Sequence, residues 1–164
     1  MKTSVNTPEN AANARDFELE NFLPYRLSLL SNTISAGISQ AYRSSYGLSV
    51  TEWRVVAILG RFPGLTASEV MDRGAMDKVA VSRAVKKLQE KGLVERSEHQ
   101  QDRRRLPLKL SPRKGRNLFR KVVPQALDYE RELLGVLSPD DRQQMHRLIG
   151  KLQDAASQLN LKPN

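Results

Sequence analysis

The sequence predicts a mainly α fold with a small β wing, a winged helix-turn-helix flanked by N- and C-terminal helices, on three observations. First, the block from Thr66 to Gly115 carries a helix with Val and Ala at core spacing and basic side chains between them. It runs into a strand pattern broken by Asp102-Arg103-Arg104-Arg105. Second, four helix starts are written in capping chemistry: Ser49 with Glu52, Thr66 with Glu69, Ser111-Pro112 and Ser138-Pro139. Third, the helical segments before and after this block each carry an apolar stripe that the block itself does not need.

Taken in order, residues 1–15 are rich in Asn, Ala and Thr, have little to bury, and read as a flexible arm. From Pro24 a helix runs to Tyr46 and stops at Gly47, with Leu27, Leu30, Ile34, Ile38 and Ala41 on one stripe. No charged residue lies between Arg26 and Arg43, so this helix is expected to be covered on most sides by other helices. Residues 16–46 therefore form one element and residues 47–111 a lobe. In that lobe helices are expected at 50–61, 67–73 and 78–91, with strands at 93–98 and 104–110. Residues 112–160 supply two more helices, 112–134 and 139–159. The last repeats Met145, Leu148, Ile149, Leu152, Ala155 and Leu159 on one face.

The 164-residue chain suits one domain with a real core. Its formal charge of +9 is unevenly spread: residues 72–121 hold 16 Lys or Arg against 6 Asp or Glu, and the remainder is near neutral. So local an excess points to a polyanion surface. No run approaches the length of an apolar spanning helix, and the cations form no continuous amphipathic anchor, so a membrane is disfavoured. Cysteine is absent, which excludes disulfides and thiolate chemistry. The polar N-terminus carries no secretory signal, and a cytoplasmic location is expected.

On the helix from Asp77 to Lys91, Val81, Ala84, Val85 and Leu88 must face the core. The opposite arc is Val79, Ser82, Arg83 and Lys86, with Lys78 and Lys87 at its margins. Such an arc suits a major groove: Arg83 can pair bidentately with a guanine edge, Ser82 can meet a base or phosphate, and Val79 can pack on a thymine methyl. Asp77 as N-cap leaves amides at the helix start able to approach phosphate. The plain alternative is a solvated lysine-rich face. The hairpin argues against it, because Leu93 and Val94, then Leu106, Leu108 and Leu110, alternate as half-buried strands and put Arg103 and Arg104 at a tip shaped for a minor groove. Asp102 is read as orienting one of those guanidiniums. The expected partner is duplex DNA.

The segments Gly47-Leu48-Ser49-Val50-Thr51-Glu52-Trp53-Arg54, Met76-Asp77-Lys78-Val79-Ala80-Val81-Ser82-Arg83-Ala84-Val85, Lys91-Gly92-Leu93-Val94, Asp102-Arg103-Arg104-Arg105 and Leu110-Ser111-Pro112-Arg113-Lys114-Gly115 together resemble the MarR family of bacterial transcription regulators. The resemblance spans roughly residues 24–159. It implies a homodimer made by the first and last helices, pseudo-palindromic operator binding, usually repression, and release by a small effector. Pro107 departs from the pattern of many members and suggests an edge position or an irregular wing. Phe22-Leu23-Pro24-Tyr25-Arg26-Leu27 with Trp53-Arg54-Val55 also looks like a subgroup sensing aromatic acids or their coenzyme A thioesters.

The resemblance places an effector pocket between the dimerisation helices and the DNA-binding lobe. Arg26, Asn32, Trp53 and Arg54 are candidate effector contacts there, with Arg26 or Arg54 meeting a carboxylate or phosphate. The competing reading makes Trp53 plain core and the stripe Ser28, Asn32, Ser35 and Ser39 a surface for close helix packing. Arg113, Lys114, Arg116, Arg120 and Lys121 are open to three readings: a nucleotide end of the effector, flanking DNA, or solvent.

An enzyme is the main rival class. His99 and His146 stand apart without cysteine or a carboxylate cluster, and no phosphate-binding glycine loop or nucleophile elbow occurs. No catalytic residue, metal site or cofactor is therefore expected. The second rival is an architectural or RNA-binding winged-helix protein without effector, against which the scarcity of aromatics in the basic region speaks.

Overall fold

The structure, a computed structural model, describes residues 17–97 and 106–160. Asp102, Arg103, Arg104 and His99 lie outside the described residues. A single-turn 3-10 helix at Leu19–Asn21 leads into α1 (Leu23–Tyr46), α2 (Val50–Arg61), α3 (Ala67–Gly74) and α4 (Lys78–Glu90). Strands β1 (Val94–Arg96) and β2 (Leu108–Leu110) follow, then α5 (Lys114–Leu133), a 3-10 turn at Leu134–Val136, and α6 (Pro139–Asn160). Two compact units divide between Ala36 and Gly37, inside α1.

In the first unit every described residue from 17 to 33 is exposed, including Leu23, Leu27 and Leu30 of the apolar stripe. None of the described residues of this unit covers the first, charge-free turns of α1 after Arg26. Phe17 packs edge-on against Phe22 at 5.3 Å, an aromatic contact at the mouth of the helix.

The second unit holds the core. Val55, Val56 and Leu59 of α2, Val70 of α3, the four predicted residues of α4, Leu108 and Leu110 of β2, and Leu118 and Val122 of α5 close around one another. The helix starts follow the capping logic. The Ser49 hydroxyl accepts from the Glu52 N–H at 3.2 Å and the Glu52 carboxylate accepts from the Ser49 N–H at 2.9 Å, and Thr66 with Glu69 repeats the arrangement at 3.3 and 2.7 Å. Between α3 and α4 the chain turns in three residues, with Ala75 in the left-handed region at φ 46° and its N–H returning to Asp72 and Met71. That tight turn makes the helix-turn-helix.

The wing strands are shorter than expected. β1 pairs antiparallel with β2 in the register Val94–Leu110, Glu95–Lys109, Arg96–Leu108. Leu93 and Ser97 lie outside β1, and Leu106 is 48% exposed rather than half-buried in a strand. Pro107 is buried, and its carbonyl accepts from the Ser97 N–H at 2.8 Å, while proline cannot return the second bond of that pair. Among the described residues the strand pairing reaches no further than Arg96–Leu108. Nor is the far side of β2 a free edge: Leu108 donates to the Leu65 carbonyl and accepts from the Gly64 N–H, both at 2.8 Å.

α5 begins at Lys114, two residues after the expected start at Pro112. The reason is tertiary. Ser111 donates its hydroxyl to the Gly92 carbonyl at 2.7 Å and its N–H to the Leu93 carbonyl at 2.9 Å, which holds the chain in a turn before the helix opens. Its hydroxyl also accepts from the Gly115 N–H at 2.9 Å, so it caps the helix from further back in the chain. At α6 the Ser138 hydroxyl accepts from the Asp141 N–H at 3.2 Å and donates to its carboxylate at 2.6 Å. That hydroxyl, helped by the Ser138 N–H, holds the Asp141 carboxyl below its ordinary pKa.

Candidate nucleic-acid interface

α4 is fixed on one side and open on the other. Val81, Ala84, Val85 and Leu88 are buried, which locks the rotation of the helix about its axis. Lys78, Val79, Ser82, Arg83 and Lys86 are consequently all exposed, with Lys87 beside them. Val79 is 54% exposed within this arc. The Asp77 carboxylate accepts from the Ala80 N–H at 2.9 Å, so the first turn of α4 is held while its leading amides stay open. Ala67, Ser68 and Met71 of α3 and Lys78, Val81 and Ser82 of α4 line a groove of about 290 Å³ beside this arc.

One interaction was not anticipated from the sequence. Glu52, 3% exposed, uses its carboxylate both to cap α2 and to pair with the Lys91 ammonium at 3.3 Å. Lys91 also donates to the Gly47 carbonyl at 2.8 Å. Three places are joined by these two side chains: the end of α1, the start of α2 and the end of α4. The capping box announces Glu52, but no local pattern announces a lysine 39 residues away.

The candidate effector residues separate into groups. Arg26 and Asn32 are exposed in the first unit, where Glu20, Tyr25, Arg26, Leu29, Leu30 and Thr33 line an open, largely apolar cleft of about 410 Å³. Asn32 is not among the residues lining it. Trp53 and Arg54 are half-buried on α2 in the second unit, and Trp53 stacks on buried Tyr42 at 5.5 Å with 25° between the rings. This is the packing reading of Trp53. Burial pushes the Tyr42 hydroxyl upward in pKa, against the pull of Arg43 and Arg54. Ser39 is buried, while Ser28 and Asn32 of the same stripe are exposed.

Residues 46–105 match the profile of the MarR family. The transcriptional regulator BilQ of Clostridium symbiosum is 28% identical over 65% of this chain and 73% of its own length. The regulator Hpr of Bacillus licheniformis is 27% identical over 83% of this chain, which spans 65% of that protein, and the Bacillus pumilus Hpr is spanned over 61%. A MarR/EmrR-family regulator from Acinetobacter sp. ADP1 superposes with a TM-score of 0.78 at 28% identity, covering 87% of this chain and 99% of the other. The fold is shared at 23% identity and a TM-score of 0.72 with Bordetella bronchiseptica BpsR, whose DNA binding is regulated by 6-hydroxynicotinic acid, over 84% of this chain and 97% of that one.

Proposed function

We propose that the chain is a MarR-family winged helix-turn-helix transcriptional regulator that binds a pseudo-palindromic operator as a homodimer and represses until a small aromatic acid or acyl-CoA effector releases it. The observation that carries the DNA reading is the two-faced α4: one face immobilised in the core, the other presenting Lys78, Val79, Ser82, Arg83 and Lys86 together. In this reading Arg83 reads a guanine edge, Val79 meets a thymine methyl, and Lys78 and Lys86 hold phosphates. Arg103 and Arg104, oriented by Asp102, enter the minor groove.

The experiment is fluorescence anisotropy on a duplex from the chain's own promoter region. Arg83→Ala should cost about 1–3 kcal/mol and flatten discrimination at one position per half-site, whereas Arg104→Ala should weaken binding with less effect on discrimination. Wild-type affinity in both variants would overturn the assignment.

The effector reading rests on Arg26 at the rim of an apolar cleft. A cation beside Tyr25, Leu29 and Leu30 suits an aromatic carboxylate, and BpsR, whose DNA binding is regulated by one, has this fold. Aromatic acids and their coenzyme A thioesters should be screened for ligands that raise the melting temperature of the free protein and release the DNA complex. Stabilisation without release would leave a binding site but no control.

A further inference from the structure

The first two turns of α5 carry a cationic face that the fold itself does not favour. Gly115, Leu118 and Val122 are buried, so the helix is anchored on that side. Arg113, Arg116 and Arg120 recur on the opposite side, flanked by Lys114 and Lys121, and all five are exposed. From residue 111 to residue 127 there is no Asp or Glu. Among the described residues, Glu52, Glu95 and Asp128 form ion pairs with other cations, Lys91, Lys109 and Arg131.

Local energetics oppose this arrangement twice. The first turn of α5 has no acidic residue, so Lys114 and Arg116 stand at the positive end of the helix dipole. Arg116 and Arg120 are like charges at i, i+4, a destabilising pair. A one-signed, solvent-facing row kept at the expense of helix stability is a row shaped for a partner. Guanidiniums predominate, and their planar forks match phosphate oxygens bidentately where lysine offers only a point charge. The row is also held rigidly to the reading lobe, through Ser111 on Gly92 and through Gly115, whose hydrogen lies where any Cβ would overlap the Leu93 carbonyl.

We propose that the face formed by Arg113, Arg116 and Arg120 is a second duplex-DNA contact, gripping backbone phosphates that flank the operator without reading sequence. The inference rests on the DNA-binding reading above and lies outside the residues matched by the family profile. It assigns Arg113, Arg116 and Arg120 to affinity and salt dependence, and leaves base choice to α4.

The test is Arg116→Gln with Arg120→Gln, measured by anisotropy on two duplexes sharing one operator: a minimal fragment of about 20 base pairs and one extended to about 40. On the long duplex the variant should bind about tenfold more weakly. Its log K against log salt slope should become shallower by about 0.9 for each phosphate it no longer neutralises. On the minimal duplex it should match wild type. Relief of the dipole and like-charge conflict should raise the melting temperature by about 1–2 °C, which distinguishes a weakened grip on DNA from impaired folding. No change on either duplex, or an equal change on both, overturns the proposal. Arg83→Ala in parallel tells the failures apart: if it too leaves binding unchanged, the DNA reading of α4 fails rather than this face alone.

Discussion

Gly115 shows how much a single position can carry. A Cβ there would overlap the carbonyl oxygen of Leu93, a backbone atom of the wing base that cannot swing away, and would press on Leu110 as well. Gly115→Ala should therefore destabilise the protein by about 1–3 kcal/mol in a urea melt, and a cost near zero would mean that the wing base yields. Gly47 is needed for a different reason. It has open space around it but φ of +60°, and its carbonyl receives Lys91. Glu52 is the acidic counterpart, a buried carboxylate that accepts from both the Ser49 N–H and the Lys91 ammonium. Glu52→Ala removes a cap and the ion pair to Lys91, which keeps the Gly47 carbonyl as acceptor, so a loss of about 1–2 kcal/mol is expected. Glu52→Gln should recover the cap but not the ion pair, falling between the two in the same melt. Arg83 belongs to the same scale, because its exposure follows from the burial of Ala84 and Val85 beside it.

The helices were legible wherever their ends are written locally. Ser49, Thr66, Asp77 and Ser138 each satisfy an amide within three residues, so spacing alone places α2, α3, α4 and α6. The start of α5 was not legible, because Ser111 is held by Gly92 and Leu93 from another part of the chain, which turns before it coils. The same holds for the wing. Alternation at Leu106, Leu108 and Leu110 suggests a long strand, yet Pro107 cannot donate to Ser97 and Leu108 directs its own bonds to Gly64 and Leu65. In the candidate interface the α4 arc followed directly from periodicity, while the Glu52–Lys91 tie is a long-range pairing that no local pattern encodes. α6 yields a prediction at this scale. The Asp141 carboxyl has its pKa lowered from 3.8 by Ser138, so it contributes stability above that unfolded-state value and loses it as pH falls through the lower folded value. Helicity followed by circular dichroism should therefore decline from about pH 4 downward, and Asp141→Asn should remove that part of the acid dependence. An unchanged acid limb in the variant would place the proton elsewhere.

At the scale of the whole molecule, α1 and α6 each leave a row of apolar side chains uncovered by the described residues. Leu23, Leu27, Leu29 and Leu30 are each between 47% and 55% exposed in the first unit. In the second, Leu148, Ile149, Leu152 and Leu159 of α6 are 43–65% exposed, and no described residue of α6 is buried. Charge is missing from α1 between Arg26 and Arg43, so solubility was not what shaped that surface. In the proposed function these faces are covered by a second copy of the chain. Two-fold symmetry then sets the spacing of the two α4 arcs near one helical turn of duplex, about 34 Å. Linkage of two half-site contacts multiplies affinity by about 10²–10⁴ without adding any contact to the individual arc. Leu152→Asp should accordingly shift the protein to a monomer by light scattering at micromolar concentration. Its binding to the complete operator should weaken by about 100-fold or more, while its binding to an isolated half-site stays that of a wild-type subunit. If the variant remains dimeric, the α6 face is not the interface. If it becomes monomeric but holds the full operator as tightly as before, the two arcs do not act together, and control of their separation cannot be how an effector releases DNA.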